Sequence, residues 1–130
     1  MPFRQSTAAV NAIADAMGRL YDGGALRLYG GAQPSSVTGA PSTLLAEVRF
    51  SATAFYPANE GVIIAQPMQG DPSAKATGDA TWYRAVSATG AVLHDGSVGK
   101  RGTNLTMVST AISAGVAVNP QQFSLTVPKE

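Results

Sequence analysis

His94 is the only histidine of this 130-residue chain, and the residues around it include the side-chain types of a serine-hydrolase triad. Asp95 follows it directly, and Ser97 lies two positions further on. Successive residues of a strand point to alternate faces, whereas the members of a triad must converge in space. We therefore predict that His94 is a hydrogen-bonded structural residue and that no catalytic residue lies here.

Gly99-Lys100 has the glycine and lysine that close a phosphate-binding loop. That motif also needs a glycine five residues before Gly99 and a Ser or Thr after the lysine, and the chain has His94 and Arg101 at those positions. The sequence therefore does not predict a phosphate-binding loop.

The carboxylates are spread along the chain, without a close pair in sequence: Glu47, Glu60, Asp71, Asp79 and Asp95. A glycosidase-type pair would require two of them to meet in the fold. A calcium site would require several oxygen ligands in one loop, for which Asp71 and Asp79 with Ser73 and Thr77 are the candidates. Both sites stay open as alternatives. Cysteine is absent, which excludes thiol chemistry, and we predict no enzyme, no metal and no cofactor.

Aromatic side chains are the other groups that could bind a ligand. Trp82 and Tyr83 are consecutive in a strand-like run, so their rings should point to opposite faces. We expect Trp82 in the core. The remaining candidates for a surface position, where aromatic rings bind sugars or partner subunits, are Tyr83, Tyr29, Phe55 and Tyr56.

A helix is predicted from a cap at Ser6 or Thr7 to about Tyr21, and Asp22-Gly23-Gly24 ends it. Apolar residues recur along it at three- and four-residue steps: Val10, Ile13, Ala14, Met17 and Leu20. Polar residues lie away from this stripe: Asn11, Asp15 and Arg19. The stripe should dock on the chain's own sheet or on a neighbouring subunit.

From residue 25 onwards the apolar period changes to two. About eight short strands separated by turn residues predict a mainly β fold, an antiparallel sandwich of the jelly-roll or immunoglobulin-like kind. Residues 1–24 form an N-terminal arm and amphipathic helix, and residues 25–130 form the sandwich domain. Residues 87–90 predict a hairpin turn, and Asp95-Gly96 predicts either a second hairpin or a bulge.

Nine basic and eight acidic residues make a sparse and balanced set of charges, 13% of the chain. No basic stripe of the kind that binds nucleic acid is visible, and no apolar run approaches the length of a membrane span. The first twenty residues do not resemble a signal peptide, so we expect synthesis in the cytoplasm. Low charge suits a surface covered by neighbouring subunits, although a high-GC genome rich in small residues would give the same composition.

Six segments resemble a family of small tailed-phage proteins, many without an assigned role: LRLYGGAQP (26–34), TLLAEVRF (43–50), GDATWYRAV (78–86), HDGSVG (94–99), LTMVSTAISAG (105–115) and FSLTVP (123–128). The preceding helix ending in Asp-Gly-Gly also fits. The resemblance implies a structural component of the virion and supplies no catalytic residues.

The expected function is that of a capsid decoration (cement) protein, a dimer or trimer that bridges major capsid subunits. Two alternatives are a neck, collar or tail-associated subunit and a glycan-binding module on the particle. The candidate contact residues lie in the N-terminal arm and in two long loops, 30–42 and 69–78: Met1, Pro2, Phe3, Arg4, Gln5, Pro34, Ser35, Ser36, Val37, Asp71, Pro72 and Lys75.

Overall fold

A computed structural model describes residues 4–36, 39, 43–107 and 109–128 of the chain. Within these ranges the fold is mainly β, with one helix and nine strands. The elements in chain order are α1 Thr7–Arg19, β1 Ala25–Tyr29, β2 Leu44–Arg49, β3 Val62–Ile64, β4 Gly78–Asp79, β5 Trp82–Val86, β6 Val92–Gly99, β7 Leu105–Thr106, β8 Ala111–Ile112 and β9 Gln122–Thr126.

The ends of α1 follow the sequence prediction. Ser6 has extended backbone angles, and its Oγ accepts a hydrogen bond of 3.1 Å from the backbone N–H of Ala9. This satisfies one of the N–H groups that a helix leaves unpaired at its start. Gly23, with a φ of 69°, turns the chain away after the helix.

The docked face of α1 differs from the predicted stripe. Val10, Ala14 and Gly18 are buried, whereas Ile13 is 45% exposed and Leu20 is 57% exposed. The helix contacts β3 through small residues, and a Cβ at Gly18 would lie 3.2 Å from the Phe55 ring. Close approach through glycine and alanine, rather than the largest apolar side chains, decides which face is buried.

Seven strands form one mixed sheet in the order β2-β1-β5-β6-β7-β9-β3, and β4 and β8 form a separate pair. The neighbours pair antiparallel except β6 and β7, which run parallel. The predicted wholly antiparallel arrangement is therefore wrong at this pair. The large sheet does not close into a barrel.

The hairpin between β5 and β6 lies where the sequence predicts it. The backbone N–H of Ser87 donates to the carbonyl of Ala91, and Gly90 has a φ of 88°. Asp95 and Gly96 pair in register with β5 inside the long strand β6, so they form neither a turn nor a bulge. The irregularity in this ladder lies between Ala85 and Val86 instead.

The large sheet curls strongly on itself. β2 and β9 are five hydrogen-bonded steps apart in strand order, which corresponds to about 24 Å in a flat sheet. Yet the rings of Phe50, just after β2, and Phe123, on β9, have centroids 5.6 Å apart. The inner surface of the curl is therefore a continuous aromatic core, in which Phe55 and Tyr83 also contact Phe123.

Candidate functional site

His94 lies between two tyrosines in the inner aromatic core. Its Nδ1 is 2.6 Å from the hydroxyl of Tyr21, just after α1, and its Nε2 is 2.7 Å from the hydroxyl of Tyr83 on β5. The Tyr83 ring crosses the backbone of Gly96, the residue opposite it on β6, where a Cβ would overlap the phenol. Glycine at this position thus makes room for the contact with His94.

The three groups of this Tyr21–His94–Tyr83 triad are uncharged at neutral pH. Burial lowers the pKa of His94, an effect that the nearby Asp95 carboxylate partly offsets. Burial also raises the pKa of Tyr21 to about 12 and raises the pKa of Tyr83. A neutral imidazole donates at one nitrogen and accepts at the other, so one tyrosine accepts while the other donates. The expectation of a hydrogen-bonded His94 is confirmed.

The possible hydrolase triad around His94 is dispersed. Asp95 points to the outer face of the sheet and pairs with Arg84. The Ser97 hydroxyl is 3.4 Å from the Oδ1 of Asn104. Because Asp95 and Ser97 are each held by a different partner, the geometry does not assemble a nucleophile, a base and an orienting acid.

Arg84 forms a buried ion pair on the outer face of β5. Its Nε and Nη2 donate to the two carboxylate oxygens of Asp95 at 2.8 and 3.0 Å, and the two side chains are 7% and 4% exposed. Its Nη1 donates to the carbonyl of Gly39 at 2.9 Å. The guanidinium also lies 5.4 Å from the centroid of the Trp82 ring. Arg84 thereby attaches part of the first long loop to the sheet.

Asp71 has the same anchoring role in the second long loop. Its Oδ2 accepts from the backbone N–H of Glu47 at 3.0 Å and from Lys75 Nζ at 3.1 Å, and its Oδ1 accepts from Ser73 N–H. Burial alone would raise the pKa of Asp71, but the hydrogen bonds and the Lys75 charge together lower it. The described residues contain no group of three or more acidic or histidine side chains placed to hold a metal.

The predicted contact residues lie at three separate places. Arg4 is exposed, and Gln5 Nε2 donates to the carbonyl of Pro128 at 3.2 Å. Pro34 is half-buried, and Ser35 and Ser36 are exposed beside the part of the loop that Arg84 holds. Pro72 and Lys75 are exposed, whereas Asp71 is buried. The others lie outside the described residues: Met1, Pro2, Phe3 and Val37.

Three polar side chains of the helical segment bind the outermost chain of the sheet. Residues 54–59 run beside β3, and three backbone N–H groups near this edge donate to side-chain oxygens: Ala54 to Asp22, Ala58 to Asp15 and Gly61 to Asn11, at 2.7–2.8 Å. The apolar periodicity of the sequence places Asn11 and Asp15 away from the stripe of α1 and predicts no contact for them. Their four-residue spacing puts them on one side of the helix, and this spacing is the signal in the sequence for a shared contact.

Only one of the aromatic residues predicted near the surface is found there. Tyr29, Phe55 and Tyr83 are buried, and Tyr29 stacks on Trp82 with centroids 4.6 Å apart. That prediction is wrong for these three residues. It is confirmed for Tyr56, which is 50% exposed, and the burial predicted for Trp82 is also confirmed.

Tyr56 lines three surface grooves, with volumes of about 390, 410 and 300 Å³. Ile64, itself partly exposed, lines two of them. The first groove has no charged residue, whereas Asp15, Asp22 and Arg19 line the second and Glu60 lines the third. We call this area the Tyr56 surface. It joins an uncharged groove to two grooves whose linings together include three carboxylates and one guanidinium.

Comparison of the chain with protein-family models, with curated proteins and with solved structures finds no match. Over the described ranges, no helix has both the length and the apolar character required to cross a bilayer.

Proposed function

We propose that the chain is a non-enzymatic structural protein of a phage virion, and specifically a capsid decoration (cement) protein that bridges major capsid subunits. It would be made in the host cytoplasm and would act in the virion as a dimer or trimer. Nucleic acid, membrane and cofactors have no part in this proposal.

The observation that carries the proposal is the second apolar flank of α1. Ile13 and Leu20 are seven positions apart and lie on one side of α1, beside its buried face, while Met17 between them is partly buried against the core. Ile13 and Leu20 are large and exposed. A helix that is already docked and still presents such a strip favours coverage by another protein subunit.

We further propose that the two ends of the curled sheet form the facing layers of a small sandwich of the jelly-roll or immunoglobulin-like kind. The 5.6 Å contact between Phe50 and Phe123 supports two layers packed face to face. The anchored loops support a rigid subunit, because Arg84 and Asp71 each fix a loop through several hydrogen bonds. A rigid subunit suits a repeating lattice.

A neck, collar or tail-associated subunit would need the same rigid fold and the same apolar contact surface, and it is the second candidate. The glycan-binding alternative has less support, because it requires exposed aromatic rings. Tyr29 and Phe55 are buried, and of these three aromatic residues Tyr56 alone is exposed.

Peptide-based copy counting on purified particles tests the proposal. We expect on the order of hundreds of copies per particle, in a fixed ratio to the major capsid protein. About a dozen copies would instead indicate the neck or tail, where the symmetry is lower. Absence from the particles would refute a virion role.

Add-back to particles that lack the chain tests the helix flank directly. We expect the double variant Ile13→Ser/Leu20→Ser to bind at least about tenfold more weakly than the unchanged chain, since the apolar area would be lost. Ala12→Ser, an exposed position on the same helix, is the matched control and should bind normally. Equal binding of all three chains would show that the flank is not the contact.

A further inference from the structure

We propose that the Tyr56 surface receives the N-terminal segment, Met1 to Arg4, of a second copy of this chain. The proposed function includes a dimer or trimer, and this proposal names the contact that forms it. It rests on the proposed function only in assuming that the chain self-associates. Its test uses the purified chain, so it can fail while the particle result stands.

The Tyr56 surface has the shape and charge of a docking site for a short segment with one apolar anchor and one basic residue. The uncharged groove is lined by Tyr56, Ile64 and Phe123, among others, and has a volume of about 390 Å³. Tyr56 is half-exposed beside this groove, and tyrosine is one of the residue types that are enriched among the residues that dominate binding energy at interfaces. On its other side, Asp15, Asp22 and Glu60 outnumber Arg19.

The carboxylates of Asp15 and Asp22 keep their negative charge on this rim. Asp15 and Asp22 each accept one backbone N–H, from Ala58 and Ala54, and each does so through Oδ1. A hydrogen bond from a neutral amide orients a carboxylate without neutralising it. The rim therefore attracts a cationic side chain, and guanidinium is the group that pairs best with carboxylate oxygens.

The first residues of the chain carry this combination. Phe3 is apolar, Arg4 is basic and follows it directly, and the side chains of Met1 and Pro2 are uncharged. Arg4 is exposed, and Gln5 behind it is held by the Pro128 carbonyl. Four extended residues span at most about 14 Å. Phe3 would occupy the uncharged groove, and Arg4 would face the carboxylates.

Exchange of this segment between copies would place two or three identical contacts in a closed assembly.

Sedimentation of the full-length chain measures the association. We expect a dissociation constant on the order of 10 µM, typical of a small interface. Tyr56→Ala and the double variant Phe3→Ala/Arg4→Glu should each raise it at least about tenfold. Val116→Ser changes an exposed apolar residue outside the three grooves and should leave it within about twofold.

Mixing the two deficient chains distinguishes exchange from docking within one copy. A tagged Tyr56→Ala chain keeps its N-terminal segment, and an untagged Phe3→Ala/Arg4→Glu chain keeps its Tyr56 surface. We expect the tagged chain to retain the untagged variant several times more than it retains its own kind. Far-UV circular dichroism confirms that each variant is folded.

Three results would overturn the proposal. The first is a full-length chain that remains monomeric at about 100 µM, ten times the expected constant. The second is association that both variants leave unchanged. The third is loss in each variant alone with no recovery in the mixture, which would mean that the segment and the surface do not meet between copies.

Discussion

Protonation of His94 would turn a ring that donates one hydrogen bond and accepts another into a ring that can only donate. Tyr21 and Tyr83 would then both have to accept from it, and the tyrosine that now donates to His94 would lose its acceptor. The Asp95 carboxylate favours a charged His94, but Arg84 already holds this carboxylate on the other face of the sheet. The cost of a charged His94 therefore falls on its contact with whichever tyrosine donates to it, Tyr21 after α1 or Tyr83 on β5.

We predict that the chain loses stability as the pH falls below about 6.5, the ordinary pKa of histidine in an unfolded chain. Burial lowers the pKa of folded His94, so in this range the unfolded chain binds the proton more readily. The free energy of unfolding then falls by at most about 1.4 kcal/mol per pH unit. The loss stops once the folded histidine titrates as well. Urea unfolding between pH 7.5 and 5 measures this slope.

His94→Gln provides the control for this prediction, because an amide can also donate and accept but does not titrate. Since the chain has no other histidine, the slope between pH 6.5 and 5 should disappear in the variant. Asp71 acts in a lower range, because its pKa is lowered and its contribution is lost as the pH falls through that folded value. An unchanged slope in His94→Gln would contradict the assignment.

At the scale of elements, α1 protects the edge of the large sheet. An exposed edge carries unpaired backbone groups that can recruit another chain. Here Asn11, Asp15 and Asp22 accept three backbone N–H groups along that edge. Side-chain oxygens of the helical segment therefore accept the backbone N–H groups that the carbonyl groups of a further strand would otherwise accept.

We predict that Asp15→Ala lowers the free energy of unfolding by about 1–3 kcal/mol, because it leaves the Ala58 N–H without its acceptor. Asp15→Asn keeps an oxygen at the same place and should cost less than about 1 kcal/mol. Urea unfolding at pH 7 compares the two. Equal losses would show that the charge, rather than the hydrogen bond, is responsible.

The Arg84–Asp95 pair connects β5, β6 and the first long loop. We predict that Arg84→Met costs about 3–5 kcal/mol, because it leaves the Asp95 carboxylate buried without its cation. The double variant Arg84→Met/Asp95→Leu should cost less than the single one, since no charge remains buried. Thermal unfolding measures both. Faster amide exchange at residues 35 and 36 should accompany either change, because the contacts of Arg84 with the loop are lost. A double variant that is the less stable of the two would contradict this account.

What the sequence could predict depends on how local the cause is. The cap at Ser6, the glycine after α1 and the turn at 87–90 depend on a few adjacent residues, and all three are found as predicted. The burial of Tyr29 depends on Trp82, which is distant in the chain, and the parallel pairing of β7 with β6 accompanies its antiparallel pairing with the later strand β9. Local periodicity carries no information about either.

The candidate site was less predictable than the fold. The sequence indicated a hydrogen-bonded His94, but its partners Tyr21 and Tyr83 are 73 and 11 residues away. It indicated an exposed Tyr56 without the grooves beside it, because these are formed by α1, β3 and β9 together. Residue type thus indicates which groups can take part, and tertiary packing decides where they meet.

At the scale of the whole molecule, Phe123 holds the curl of the sheet. Its ring contacts Phe50 and Phe55 on one side of the core and Tyr83 and His94 on the other. We predict that Phe123→Ala costs about 3–5 kcal/mol, the range for a fully buried phenylalanine. Phe123→Leu should cost roughly half as much, because it keeps most of the volume. Chemical denaturation measures both, and a loss below about 1 kcal/mol in Phe123→Ala would indicate that the curl does not depend on this ring.

The two faces of β5 also carry separate spectroscopic reporters. Trp82, the only tryptophan, lies on the outer face, where its indole N–H donates to the Gly30 carbonyl and its ring stacks on Tyr29. The imidazole of His94 lies on the inner side and gives the only histidine ring signals in a proton NMR spectrum. Tryptophan fluorescence therefore follows the layer of residues 30–36, while those resonances follow the aromatic core. The order in which these two regions lose their structure during unfolding can therefore be measured on the unmodified chain, without an attached dye.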